Sequence, residues 1–407
     1  MKKEIILLIL IVFSSLIFVK PNTEWDEHVY LMNAKYFSGE KIYFENIRPP
    51  ILPLIVSIFY TFKIDSLIFS TVPLFILSFF LLSLYLLSKD FKVLIIMFCF
   101  PIFLMYSEKL MTEILSSSFV IFAIFFIKNY IYKKNDLFFY LSYLFSSLAF
   151  LTRYPLGISV LIVSLLYLFF SKKKDYAKML IGLIVFFIPI FLWGNHIGFE
   201  TFFLALSYVS NNSGFFYYFI NIFTILGISI LFLLFVKNYK YNKKDLFFLV
   251  PLLVIFLTLQ LMTHKEPRYL IPLLPFAAMF FSKLMKFDLV FILLILVFFT
   301  FSLYYSMFFY EIICSVNDNL VELSRFFEEK SDVLILSNFW PTVSYYSNLS
   351  SIAISEPCNI GQRVADSNAS YIVVSSFNPC FNSDYSSYEL VKVINNDSCE
   401  IINIYRI

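Results

Sequence analysis

Twelve apolar runs succeed one another along the first three quarters of the chain, at roughly 5–19, 50–62, 66–87, 93–106, 111–127, 137–151, 155–170, 179–193, 215–236, 246–262, 269–282 and 289–309. Charges or prolines close nearly every run, which leaves little room for an ordinary soluble fold. Of 407 residues, 60% are hydrophobic, 21% aromatic and only 14% charged, too few charges to cover a soluble surface. The chain therefore reads as an α-helical polytopic membrane protein. A net charge of +3 is too small for a nucleic-acid surface, and the basic residues lie in short clusters between apolar runs, where membrane lipid is the simpler partner. The first run resembles a signal peptide, but Val19-Lys20-Pro21 offers no small-residue cleavage site, so an uncleaved span is expected.

A transmembrane helix needs about 20 apolar residues, with ~17 as a practical floor. The run 50–62 opens on Pro49-Pro50, is broken by Pro53 and is closed by Lys63 and Asp65, so it is expected to be juxtamembrane or re-entrant. With that segment not crossing, Lys2-Lys3, Lys89, Lys92, Lys128, Lys172-Lys173-Lys174, Lys243-Lys244 and Lys283 all fall on one side. Such clustering marks the cytoplasmic side. Eleven transmembrane helices follow, with the N-terminus cytoplasmic, the C-terminus outside and the cell membrane as location.

The opposite loops hold the unusual chemistry. Trp25-Asp26-Glu27-His28-Val29-Tyr30 puts two carboxylates at the membrane edge and leads through Gly39 to Arg48-Pro49-Pro50. The second loop carries Glu108 and Glu113, the third is the tight turn Thr152-Arg153-Tyr154-Pro155, and the fifth reads Thr263-His264-Lys265-Glu266-Pro267-Arg268-Tyr269. Each has a plainer reading: acids past a helix can be a solvated loop, and Arg153 can snorkel to the interface. Against this, Arg48, Arg153, Lys265 and Arg268 depart from the cytoplasmic Lys bias, and three of the four are Arg. A guanidinium fork suits phosphate, which Lys meets only as a point charge. Ionisable groups converging at one membrane face are a functional-site hypothesis by default.

In their order along the chain, Asp26-Glu27, Arg48-Pro49-Pro50, Thr112-Glu113, Thr152-Arg153-Tyr154-Pro155 and His264-Lys265-Glu266-Pro267-Arg268-Tyr269 with Pro272 and Pro275 resemble the C-type integral-membrane glycosyltransferases. The protein O-mannosyltransferase and lipid A aminoarabinose-transferase branches are the nearest in pattern, and the His-Lys-Glu stretch is also similar to the GPI-anchor mannosyltransferases. Of these motifs His-Lys-Glu-Pro-Arg-Tyr is the most specific. The resemblance covers residues 1–309 as a transmembrane catalytic module. It implies transfer of a sugar from a polyprenyl-phosphate donor to a lipid, protein or glycan acceptor on the non-cytoplasmic face. It implies Asp26 as the base with Glu27 beside it, Glu108 and Glu113 as a second acidic loop, and Arg48, Arg153, Lys265 and Arg268 against the donor phosphate. His264 and Tyr269 are support residues. Arg48 departs from branches that carry Lys or His before the two prolines. Some members of the superfamily bind a divalent cation, for which Asp26, Glu108 and Glu113 offer oxygens, while others use none. The three His are too scattered for a zinc site.

Near residue 310 the apolar runs shorten, which marks a soluble α/β exterior domain over 310–407. A helix is expected over 317–330, and strands over 333–336, 351–354, 371–374, 390–394 and 401–405, several of them continuous β-branched runs suited to a sheet covered on both faces. Trp340-Pro341 and Tyr345-Tyr346 can serve packing or ligand contact. Cys314, Cys358, Cys380 and Cys399 allow three pairings, with Cys358–Cys380 favoured, and Cys99 lies alone in a span. Asn-x-Ser sequons stand at Asn211, Asn348, Asn368 and Asn396. The alternatives are a lipid-linked-glycan flippase or transporter, which calls for paired halves and midspan charge, and a membrane-anchored scaffold.

Overall fold

The computed structural model describes residues 25–40, 44–107, 109–170, 176–207, 214, 216–239, 241–262, 264–284, 289–312, 317–328, 330, 333–354, 358–376, 378, 380–395 and 401–407. The run 5–19, Glu108, Asn211, Cys314, Asn396 and Cys399 lie outside them. The chain forms two compact units, one from residues 1–19, 46–52 and 69–308, the other from 20–45, 53–68 and 309–407.

The first unit is helical. Thr112–Lys133, Asp136–Thr152 and Tyr154–Phe170 pack as successive antiparallel neighbours, with Tyr176–Ile197 laid on the second and Leu246–Leu261 on the third. Among the described residues four helices are long and apolar enough to cross a membrane: Asp65–Ser88, Thr112–Lys133, Ala177–Ile197 and Lys243–Leu261. Ends are set locally. Lys134 closes one helix in the left-handed conformation, and the Asn135 side chain accepts from Leu137 N to start the next.

Three runs expected to be single spans are broken. Run 93–106 divides into Phe91–Met97 and Pro101–Tyr106, because Pro101 has no N–H for the preceding turn and starts a helix of its own. Run 215–236 divides into Tyr217–Ile220, Ile222–Leu226 and the 3-10 stretch Gly227–Asn238. Gly227 has φ +57°, and a Cβ there would meet the Pro101 ring at 2.7 Å, so no larger residue fits. Run 269–282 begins as the 3-10 helix Pro267–Leu273 and becomes α-helical only at Leu274–Leu284. The run 50–62 contains an eleven-residue helix, Ile51–Thr61, below the length of a crossing.

In the second unit a five-stranded mixed sheet has the order β2-β1-β3-β5-β4, from β1 (Ile335–Ser337), β2 (Ser351–Ala353), β3 (Tyr371–Ser375), β4 (Glu389–Ile394) and β5 (Ile402–Arg406). β1 is parallel to β2 and β3, and β5 runs antiparallel to β3 and β4. Side chains alternate between two cores. Ile335, Tyr371 and Val373 join Leu320, Leu323 and Phe327 of the helix Asn317–Phe327. Leu336, Ile372 and Val374 join Ile354 and Ile360 on the other face. Both faces are thus covered, as the β-branched runs of the sequence require. Cys358 and Cys380 form a disulfide, the favoured pairing. Cys99 is buried and reduced. Two sequon asparagines have a local structural role. Asn348 and Asn368 each close a helix in the left-handed conformation, which Asn tolerates better than most residues.

The stretch carrying Asp26 and Glu27 is a helix, Trp25–Phe37, and not the loop expected from sequence. The two acids occupy its first turn, where they complement the partial positive charge of unpaired N–H groups. Val29, Leu31, Met32 and Ala34 are buried, and the helix packs on Trp340–Ser347 of the same unit.

Candidate functional site

The first unit brings Glu113, Arg153 and Arg268 to one point from three separate segments. Glu113 lies in the first turn of Thr112–Lys133 and is 2% exposed. Arg153 is the residue between Asp136–Thr152 and Tyr154–Phe170, with φ −158° and ψ 102°. That extended residue turns the chain between two helices, so its side chain is delivered by both helix ends. Arg268 comes from the 3-10 segment opened by Pro267, which packs between Thr112–Lys133, Pro101–Tyr106 and Leu246–Leu261.

The contacts form an alternating chain of charge. Arg153 Nη1 donates to Glu113 Oε1 at 2.6 Å, and Arg268 Nε stands 3.5 Å from the same oxygen. Arg268 Nε also donates to Glu266 Oε2. Glu266 Oε1 accepts from the Tyr269 hydroxyl at 3.2 Å and lies 2.8 Å from His264 Nε2. Aromatic rings complete the enclosure. The Arg153 guanidinium sits 3.9 Å over the Tyr269 ring, and Arg268 and Lys109 approach Tyr106 at 5.9 and 5.0 Å. Two guanidiniums balance two carboxylates here, and the buried Lys109 and Lys265 add positive charge. A group of this sign, with guanidinium forks near aromatic faces and an apolar surround, suits an anion carried on a lipid. Glu113 Oε2 is buried and has no hydrogen-bond partner among the described residues.

The structure brings together five of the residues expected from sequence: Glu113, Arg153, Arg268, His264 and Tyr269. Lys265 is buried between His264 and Glu266 in the same segment. Arg48 lies in the turn ahead of Ile51–Thr61, partly buried. Asp26 and Glu27 belong to the other compact unit. Glu108 lies outside the described residues. Sequence reading passed over Glu266, Tyr106 and Lys109. Glu266 stood inside the most specific motif, but nothing in a linear pattern says that its carboxylate turns back on Arg268. Among the described residues no three acidic, His or Cys side chains stand close enough to hold a metal ion.

By sequence, no family model matches the chain, and no curated protein does. Two solved structures of similar fold are those of ArnT from Cupriavidus metallidurans. One is bound to undecaprenyl phosphate, at TM-score 0.68 and 10% identity, covering 98% of this chain and 97% of that one. The other is in the apo state, at TM-score 0.67 and 9% identity, covering 99% and 98%. The chain thus shares the ArnT fold over nearly its whole length.

Proposed function

We propose that the chain is a glycosyltransferase that moves a sugar from a polyprenyl-phosphate donor to an acceptor hydroxyl on the non-cytoplasmic face of the cell membrane. The observation that carries this reading is the single Glu113 oxygen shared by Arg153 and Arg268. Two guanidiniums drawn to one carboxylate concentrate positive charge in a planar, fork-shaped geometry, which suits a phosphate. The apolar helices and the undecaprenyl phosphate bound to a protein of the same fold support a prenyl-linked donor.

In this reading Asp26, with Glu27 beside it, takes the proton from the acceptor hydroxyl. The acceptor oxygen attacks the anomeric carbon as its bond to the phosphate oxygen breaks, and the polyprenyl phosphate departs with the bonding pair. Attack opposite the leaving group inverts the anomeric centre. Negative charge grows on the departing phosphate, and Arg153, Arg268, Lys265 and Arg48 stabilise it, which lowers the barrier more than it tightens the ground state. Tyr269 fixes the plane of Arg153, while His264 holds Glu266, whose carboxylate occupies Arg268 until the donor phosphate displaces it. The acceptor is a lipid, protein or glycan, and the sugar a hexose or pentose.

The test is binding of undecaprenyl phosphate to the purified protein in nanodiscs, read as quenching of intrinsic fluorescence. Arg153→Met and Arg268→Met are each expected to weaken binding at least tenfold, the effect of losing about 1.4 kcal/mol. Binding that is unchanged in both variants would remove these residues from the donor site.

A further inference from the structure

The helix Trp25–Phe37 is held from behind by the C-terminal part of its own unit. His28 Nδ1 lies 3.0 Å from Thr342 Oγ1, and its ring packs against Tyr345 and Tyr346 at 5.3 and 5.5 Å. About two helical turns further on, Lys35 Nζ donates to Asn348 Oδ1 at 2.7 Å and lies 5.0 Å over the Tyr345 ring. Positions 28 and 35 share one face of a helix. Both therefore meet the same partner, Trp340–Ser347 and its left-handed cap Asn348. Burial pushes the His28 pKa down to about 3, so the imidazole is neutral and serves as a hydrogen-bonding and packing group. On the other side, Asn33 exchanges two hydrogen bonds of 2.9 Å with the Glu45 backbone.

Residue 26 lies two steps before His28, about 200° around the helix axis. Asp26 shares its face with Asn33, seven residues on, and points away from Trp340–Ser347. A helix gripped at 28 and 35 and braced at 33 is fixed in rotation and in axial position. A slip of one residue would swing Asp26 by about 100°. We propose that Thr342, Tyr345 and Asn348 are positioning residues that set the direction of the Asp26 carboxylate through the back of its helix. The inference rests on Asp26 acting as the base. It assigns to the C-terminal α/β part a share in acceptor activation, since a displacement of 1 Å at a reacting group can cost about 100-fold in rate.

Thr342→Val keeps the shape and removes the hydroxyl, and Asn348→Gly removes the Lys35 contact while keeping the left-handed cap. Two measurements on the full-length protein separate the possibilities: amide exchange over residues 25–37, and steady-state transfer from a polyprenyl-phosphate sugar. In the double variant exchange is expected to rise about tenfold, from the loss of two hydrogen bonds. The kcat is expected to fall at least tenfold, with the affinity for undecaprenyl phosphate unchanged. Thr342→Ser, which keeps the hydroxyl, is expected to match the wild type in both measurements. Unchanged exchange over 25–37 overturns the inference, as does faster exchange with kcat intact. A wild type that binds undecaprenyl phosphate but transfers no sugar removes instead the reading of Asp26 as base. The exchange data then still decide whether Thr342 and Asn348 fix the helix.

Discussion

Replacing Arg153 with Met tests whether the cluster around Glu113 is built as a shared-carboxylate clamp. The substitution removes a guanidinium 2.6 Å from a carboxylate that is 2% exposed and 3.9 Å above the Tyr269 ring, while keeping an unbranched apolar stem. Breaking a buried pair from one side costs about 3–5 kcal/mol. Arg153 is 13% exposed, so the lower end applies. Loss of the cation–π contact adds about 1 kcal/mol. Arg153→Lys keeps the charge but loses the fork and the flat stack, and is expected to cost roughly half as much. Glu113→Gln removes the other partner and leaves Arg153 and Arg268 facing each other. In the double variant neither charge is orphaned by the other, so the two losses should overlap by about 2 kcal/mol. Reversible unfolding by SDS titration in mixed micelles, followed by Trp fluorescence, measures the wild type and all four variants. A coupling below about 0.5 kcal/mol would mean that the two side chains act independently and would refute the clamp.

Glu266→Gln removes the carboxylate that occupies Arg268, so undecaprenyl phosphate is expected to bind several-fold tighter at low salt, with the gain fading as salt rises. Unaltered or weaker binding would show that Glu266 supports the site and does not compete with phosphate. For His28 the unfolded chain takes up a proton below about 6.5, whereas the buried ring does so only near 3. Between those values the unfolded state binds more protons, so stability is flat above pH 6.5 and falls as pH drops through the window. His28→Gln should flatten that part of the profile relative to wild type, measured by thermal melting between pH 7.5 and 5. Reduction of Cys358–Cys380, which closes a 22-residue separation, is expected to cost about 3 kcal/mol of stability in the sheet-bearing part. Melting of that part that is unmoved by reductant would contradict this.

What could be seen in the linear chain was what is decided locally. Five strands were legible because β-branched runs such as Tyr371–Ser375 stand between Ser and Asn breaks. The turn at Arg153 was legible because a polar residue between two apolar runs can only be a helix junction at that spacing. The Pro101 break was present in the sequence, yet the apolar count on either side read through it. The break at Gly227 was not visible, since the close approach that admits only glycine there is to Pro101, more than a hundred residues away. The helix at Trp25 was missed for a similar reason. Its buried face is completed by residues 340–348, and a short segment with two leading acids looks like a loop until that partner is known. In the candidate site, the residue types were readable from the motif order, but the pairing was not. That one Glu113 oxygen serves two guanidiniums, and that Glu266 folds back on Arg268, follows from how the Pro267–Leu273 segment packs against Thr112–Lys133.

Sugar transfer itself is the most direct measurement. The purified protein in nanodiscs, supplied with polyprenyl-phosphate mannose, glucose or aminoarabinose and a set of lipid and glycan acceptors, is expected to release polyprenyl phosphate and glycosylated acceptor in equal amounts. Asp26→Asn should abolish this while undecaprenyl phosphate still binds. Equal turnover by wild type and Asp26→Asn, or release of polyprenyl phosphate with no sugar on any acceptor, would contradict the account.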